Sequence, residues 1–500
     1  MDMRLVICTL LTALLVPLSA KPMNVVFILA DDLGFMDITP NNPESFYETP
    51  HLEKLAKSGM RFTQGYAACP VCSPTRASIM TGQYPARTRN TDFFGGPNEF
   101  HKTIPTDYDA LKSDKLGRFT KRPVLPAPYE GFLAKEHTSL AEAFKKHGYA
   151  TMFAGKWHLG GKGSWPEDHG FDVNKGGWTR GGPYGGKKYF SPYGNPRLED
   201  GPEGEHLPDR LASETVKFIK ANKEKPFLAY LSFYSVHTPL IGREDLVEKY
   251  KKKKQALGAK DSEIWGYDKP RRVREVQEHA IYGAMVEAMD LAIGKVMQAL
   301  DEEGLADNTI VVFFSDNGGL STSEGSPTSN KPYRAGKGWL YEGGVREPML
   351  VRWPGKTGPG SVCKTPVIST DFYPTLLEAC GLPALPEQHV DGVSLVPLLK
   401  DPAAPLGRKA IYWHYPHWGN QGGIPGSVIR RGDWKLIEFA WGKEPELYNM
   451  AEDIGEEKNL AEKHPEKVKQ LLEELKQWKS ETKALPAVAN PRFKGTFEKW

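Results

Sequence analysis

Five short apolar runs constrain this chain more than any other feature. They are Asn24–Ala30 (NVVFILA), Ala150–Ala154 (ATMFA), Phe227–Phe233 (FLAYLSF), Thr309–Ser315 (TIVVFFS) and Met349–Trp353 (MLVRW). A strand with one wet face alternates polar and apolar residues, and these do not. Each therefore needs cover on both faces. Helical patterns lie between them, as at Ser139–His147 and Val276–Glu303. Strands of this kind alternating with helices predict an α/β fold, a large mostly parallel sheet sandwiched by helices.

The pattern changes after about residue 400. Ile411–His414, Ser427–Arg431 and Trp434–Phe439 read as short strands separated by Gly and Asp turns, and Glu466–Thr482 as an amphipathic helix. A small α+β subdomain with an antiparallel sheet is expected there. A chain of 500 residues exceeds one ordinary core, so a large domain over 21–400 and a subdomain over 401–500 are predicted. Two stretches fit neither pattern: Pro-rich Asn90–Glu130, and Gly160–Pro208 with its Gly, Pro and aromatic residues. Loops of that length in a compact protein usually carry function.

Residues 1–20 read as a signal peptide. Arg4 supplies the positive start, Leu5–Val16 the apolar run and Ser19-Ala20 the small-residue exit. The run is too short to span a bilayer. Cys8 lies inside it, and the apolar residues that follow argue against a lipoprotein. The remaining cysteines, Cys69, Cys72, Cys363 and Cys380, are too few for a disulfide framework, and a Cys363–Cys380 bridge stays open. No Asn-x-Ser/Thr sequon with a non-Pro middle residue occurs. An exported protein, periplasmic or secreted from a bacterium, is expected. A net charge of +3 gives no reason to expect nucleic acid. The Lys251–Lys254 run reads as a solvated helix end.

Polar clusters follow the predicted strands. Asp31-Asp32 follow the first, Lys156 and His158 the second, His237 the third, and Asp316-Asn317 the fourth. In open α/β sheets ligands bind outside the carboxyl ends of the strands, so these residues should share one edge. Asp31, Asp32, Asp316 and Asn317 offer only oxygen, which suits Ca²⁺ or Mg²⁺ and not zinc. Singly, Asp-Asp also reads as a helix cap and Asp-Asn-Gly-Gly as a tight turn; together they favour a metal site. Ser73-Pro74 reads as a helix start with Ser73 as N-cap, which places Cys72 just before an anion-favouring N-terminus and Arg76 in the first turn. Cys69 and Cys72 also have the spacing of a redox pair or half a zinc site, but no second Cys pair or nearby His completes the latter.

In this order the motifs resemble the type I sulfatases of the alkaline-phosphatase-like superfamily. They are Asp31-Asp32-Leu33-Gly34, Cys72-Ser73-Pro74-Thr75-Arg76-Ala77-Ser78 with Thr81-Gly82, Gly155-Lys156-Trp157-His158-Leu159-Gly160, and His237-Thr238-Pro239. Then come Ser315-Asp316-Asn317-Gly318, Gly336-Lys337-Gly338, and Tyr341-Glu342-Gly343-Gly344-Val345-Arg346-Glu347-Pro348. Glu446-Leu447-Tyr448-Asn449 and Lys458-Asn459-Leu460 close the series. The series covers nearly the whole mature chain, and the one departure is Thr75, where the family most often has Ser.

The resemblance implies a sulfatase catalytic domain over 21–400. It implies that a maturation enzyme converts Cys72 to formylglycine, whose hydrate attacks sulfur, with Asp316 as the base. It implies Ca²⁺ on Asp31, Asp32, Asp316, Asn317 and modified Cys72, with Arg76 stabilising the modified residue. Lys156 and Lys337 would neutralise sulfate oxygens, His237 would act on the leaving oxygen and His158 would take the final proton. The substrate class it suggests is a sulfated glycan: glycosaminoglycan, mucin or algal polysaccharide. Trp178, Tyr184, Tyr189, Trp413 and Trp418 are candidate sugar-stacking residues, or packing for the subdomain interface. His414 and His417 are candidate substrate ligands. Alternatives are a phosphonate or phosphate ester hydrolase of the same superfamily, a glycan-binding protein without turnover, and a thiol redox protein using Cys69 and Cys72.

Overall fold

The computed structural model describes residues 21–94, 107–113, 119, 121–268 and 270–495. The signal-peptide reading of residues 1–20, and part of the Pro-rich stretch after Asn90, lie outside them.

The large sheet contains β1 (Asn24–Ala30), β2 (Met60–Tyr66), β3 (Ala150–Gly155), β4 (Val173–Lys175), β5 (Phe227–Ser232), β6 (Thr309–Ser315), β7 (Arg346–Arg352), β8 (Ser361–Cys363) and β9 (Val367–Ile368). Their order is β8-β2-β7-β6-β1-β5-β3-β4, with β9 also on β2. The expected double cover is present. Val25, Phe27 and Leu29 enter one apolar core, while Val26, Ile28 and Ala30 enter the other. In β6, Ile310, Val312 and Phe314 likewise face away from Val311 and Phe313. Each such side chain, fully buried, contributes about 1.5–3 kcal/mol.

The run Met349–Trp353 belongs to a strand that differs from the others. β7 pairs antiparallel with both β2 and β6, while the remaining pairings are parallel. Apolar content reports burial and not direction, so the run itself carries no sign of the reversal. β2 escapes a search for apolar runs because Arg61, Thr63 and Gln64 are only half-buried.

Helix α1 is Pro50–Ser58, α2 Cys72–Thr81, α3 Leu207–Ala221, α4 Glu244–Leu257, α5 Ala280–Glu302, α6 Phe372–Ala379 and α7 Pro465–Glu481. Helices α1, α3 and α4 pack on α5 over one face of the sheet. On the other face lie α2, α6 and a short helix at Leu140–Lys145. Ser139 caps that helix, with Glu142 reaching back to the Ser139 N–H at 2.7 Å. Helix α2 begins earlier than its Ser-Pro suggests. Val71 is extended and acts as N-cap, so Cys72 is itself helical. Ser73 does not cap, because its Oγ accepts from Phe94 N.

The second sheet runs β10 (Ile411–Tyr415), β11 (Gly426–Arg431), β12 (Trp434–Phe439), β13 (Glu446–Asn449), antiparallel throughout. Helix α7 packs on β11 and β12. A third apolar core joins this sheet to the large one. It includes Tyr66, Val71, Trp339, Trp413 and Leu475, and Trp413 Nε1 donates to Ala67 O at 2.7 Å.

Candidate active site

The register of the large sheet brings several strand ends to one level. Ala30 pairs with Ser315, and Leu29 and Gly155 both pair with Ser232. Asp31-Asp32, Asp316-Asn317 and Lys156 therefore leave the sheet side by side. The turn into Lys156 requires glycine. Gly155 has φ +105°, and a Cβ there would lie 1.8 Å from Ser232 O.

Asp31, Asp32, Asp316 and Asn317 are fully buried, and three cations meet the three carboxylates. Lys156 Nζ donates to both Asp31 oxygens at 2.8 and 2.7 Å. Lys337 Nζ donates to Asp32 at 2.8 Å. Arg76 Nε donates to Asp316 Oδ2 at 2.8 Å, and its Nη1 donates to Lys156 O and Ser232 Oγ, each at 2.7 Å. Arg76 thus holds an aspartate and a neighbouring strand end. Burial opposes charge on Asp32, but Lys337, His237 and Lys156 outweigh it and hold its carboxyl below the usual carboxylate range.

The donor set fits a hard cation. Asn317 Nδ2 donates to Asp32 Oδ1 at 2.8 Å, while its Oδ1 is buried without a partner. Asp31, Asp32 and Cys72 present ligand atoms all within 4.8 Å of one another. The Asp and Asn oxygens suit Ca²⁺ or Mg²⁺; the Cys72 sulfur is the soft exception. Burial pushes the Cys72 thiol up to about 11, although Lys156 and Lys337 pull the other way. At neutral pH it is a protonated thiol and a poor nucleophile. Cys69, Cys72, Cys363 and Cys380 are all free, so neither the Cys69–Cys72 nor the Cys363–Cys380 bridge is formed.

Cys72 lies in a cleft of about 290 Å³ that it shares with His158, His237 and Lys337. His237 Nδ1 sits 2.8 Å from Thr238 O, and its Nε2 lies 3.8 Å from Asp32. Burial, with Lys337 next, lowers its pKa to about 4. Both ring nitrogens of His158 are buried without partners. Burial and then Lys156 and Arg76 push that ring well down, so it is a neutral imidazole with a free acceptor. Gly181 covers it closely: a Cβ there would fall 2.5 Å from His158 Cε1.

His414 and His417 are not among the residues lining this cleft. His414 is held between Ser427 Oγ at 2.8 Å and Leu485 O at 2.9 Å. His417 Nε2 lies 2.8 Å from Thr91 Oγ1. The cleft wall comes instead from Asn420 and Gln421, three and four residues beyond His417, together with Phe93, Tyr184 and Glu324. No local motif marks Phe93, Glu324, Asn420 or Gln421. Of the aromatic candidates, Tyr184 is 48% exposed and lines the cleft. Tyr189 is buried, and its hydroxyl donates to Tyr234 O and His237 O, each at 2.7 Å, which fixes the His237 turn. Trp413 is buried in the inter-sheet core, and Trp418 stacks on Trp441.

Comparison with known proteins adds a family. Residues 23–382 match the sulfatase family, and residues 335–483 match the C-terminal region of N-sulphoglucosamine sulphohydrolase. A sulfatase of Formosa agariphila is 32% identical, with 89% of this chain and 85% of that protein covered. The N-acetylgalactosamine-6-sulfatase of Mus musculus is 29% identical, covering 91% and 81%. Among solved structures, Ps i-CgsB in complex with k-i-k-neocarrahexaose is similar with a TM-score of 0.72 and 26% identity, covering 96% of each chain.

Proposed function

The chain belongs to the sulfatase family of sulfuric ester hydrolases, and from that premise we propose that it removes sulfate from a sulfated glycan, using formylglycine derived from Cys72 and Ca²⁺ held by Asp31, Asp32, Asp316 and Asn317. The observation that carries this reading is the shared cleft. One cavity holds position 72, two histidines with low pKa values and Lys337, directly over the buried aspartates. The glycan part draws on relatives whose names or bound ligands are sugars.

Formylglycine at position 72 would supply, as its hydrate, two hydroxyls, one to attack sulfur and one to re-form the aldehyde as sulfate leaves, which neither Cys nor Ser offers. Ca²⁺ would be held by Asp31, Asp32, Asp316 and Asn317 and would supply positive charge for the developing oxyanion. The residues of the chain do the remaining work. Lys337 faces the cleft and neutralises sulfate oxygens, with Lys156 below it. Arg76 pairs with Asp316 and orients it to accept a proton from residue 72. His237, with Nδ1 donating to Thr238 O, turns Nε2 to the leaving oxygen; to protonate it the ring must be the imidazolium, a form that the negative charge of a bound sulfate favours. His158 has an unpartnered ring nitrogen, and takes the proton of the remaining hydroxyl.

The catalytic unit in this reading is 21–400, and the 401–500 subdomain closes the cleft through Asn420 and Gln421. The protein is exported, periplasmic or secreted, and its partners are the glycan and a formylglycine-generating enzyme. No helix of the described residues is long and apolar enough to cross a membrane. The test is sulfate release from a panel of sulfated mono- and oligosaccharides by protein produced with and without that maturation enzyme, with the mass of the residue-72 peptide measured in each. Turnover should track conversion. Rapid cleavage of an aryl phosphodiester with no sulfate released from any sugar would overturn the reading in favour of a phosphonate or phosphate ester hydrolase.

A further inference from the structure

The Glu324 carboxylate lines the cleft and has no part in the chemistry above. Its side chain is 21% exposed and lies 3.8 Å from Lys337 Nζ. Oε1 accepts from Gln421 Nε2 at 2.8 Å. A carboxylate oxygen of Glu324, one of Asp32 and a ring nitrogen of His237 all lie within 4.8 Å of one another. An anion-binding cleft gains nothing from a further anion at its wall, since like charges at this separation repel.

The backbone accepts strain at this point. Glu324 has φ +55° and Ser326 φ +41°, around Gly325 at +91°. Ser326 N closes the turn on Ser323 O at 2.8 Å. Left-handed conformations are uncommon for residues other than Gly, Asn and Asp, and strain of this kind concentrates at binding sites. Gln421, itself buried and brought from the second sheet's side, then fixes the carboxylate.

We propose that Glu324 determines specificity. It accepts a hydrogen bond from a hydroxyl or amino group adjacent to the sulfate ester on the sugar, and it excludes substrates carrying a second sulfate or a carboxylate at that place. The assignment rests on the sulfated-glycan reading. His237 and Lys337 contact the ester's leaving and non-bridging oxygens in that reading, so a carboxylate beside both faces the substituent next to the ester. A donor there gains a charge-assisted hydrogen bond. An anion there meets a fixed like charge, and specificity arises from the repulsion as much as from the attraction.

The experiment compares kcat/KM of the converted enzyme on para-nitrophenyl sulfate, on a panel of monosulfated hexoses, and on counterparts in which the hydroxyl nearest the ester is also sulfated. Wild type should favour its monosulfated substrate by roughly tenfold or more over the disulfated one, as expected for a like-charge contact. Glu324→Gln keeps an acceptor for Gln421 and removes the charge, and should erase most of that preference by improving the disulfated substrate. Glu324→Gly relieves the positive φ and should do the same, so a folding defect cannot mimic the result. Equal wild-type rates on the two sugars, or a Glu324→Gln effect of the same factor on every substrate including the aryl sulfate, would overturn the assignment and leave Glu324 a brace for Lys337. An enzyme that hydrolyses the aryl sulfate but no sugar sulfate would instead overturn the glycan reading beneath it.

Discussion

Among the described residues, one cluster of buried charge borders the cleft at position 72 and another joins the two sheets. At the strand ends, Asp31, Asp32 and Asp316 meet Lys156, Lys337 and Arg76. Between the two sheets, Lys435 Nζ lies 3.0 Å from Glu342 and 2.7 Å from Glu456. Glu342 also accepts from Tyr66 Oη at 2.8 Å and Arg346 Nη1 at 3.2 Å, and its N–H donates to Glu456 at 2.6 Å. Both clusters are dry. Taking ions out of water is so costly that a buried pair is weak evidence for stability. The difference lies in the groups each cluster borders. The first cluster borders the cleft and includes Asn317 Oδ1 and the His158 ring nitrogens, all without partners. The second joins β12 to the large sheet, and its Glu456 lines a separate cavity of about 370 Å³. Buried charge, even beside a cavity, therefore does not by itself mark chemistry; the first cluster is distinguished by the cleft it shares with position 72 and two histidines. The motif from Tyr341 to Pro348 is as much a part of the family resemblance as Cys72, yet Glu342 and Arg346 serve the joint.

Substitutions in the two clusters should have opposite consequences. The largest effect is expected at the cleft: Cys72→Ala should lower kcat/KM on a sulfated sugar by on the order of 10³-fold or more, as loss of a nucleophile does. Its urea midpoint should stay within about 1 kcal/mol of wild type, because only a small side chain is removed. Lys435→Met should do the reverse. It leaves Glu456 without its cation and Glu342 with arginine alone, and should cost about 3–5 kcal/mol of stability, with kcat/KM per folded molecule changed by no more than a few-fold. A Lys435→Met protein that is stable but inactive would break the distinction.

The smallest effect concerns pH. Burial raises the Glu456 pKa from 4.5 to about 7, against Lys435 and with the help of Glu342. The folded state then holds a proton that the unfolded chain has released. The stability this group contributes is full below about pH 4.5 and is lost as pH rises through 7. Glu456→Gln should flatten stability against pH in that window by up to about 1.4 kcal/mol per pH unit, read by urea titrations at several pH values. An unchanged slope would remove Glu456 from the account.

The regions differ in how legible they are in the chain. β1 and β6 could be read because burial on both faces leaves an unbroken apolar run, and their polar residues follow at once. β2 could not, because Arg61, Thr63 and Gln64 interrupt it, and the direction of β7 depends on its partners. His414 and His417 lie in an aromatic segment that resembles a sugar site. Yet Ser427, Leu485 and Thr91, from 13 to 326 residues away in sequence, hold their ring nitrogens.

By itself, the sequence determines that a sheet covered on both sides presents Asp31, Asp32, Lys156, His237, Asp316 and Asn317 at one edge. Strand periodicity and burial are local properties, and the residues following a strand must leave it at its end. Only the tertiary structure decides what surrounds the substituents of a substrate. Glu324 meets Gln421, 97 residues on, because the second sheet docks there and the chain turns through a left-handed conformation. A contact of that kind is set by the packing of distant segments, and has no period or spacing from which it could be read.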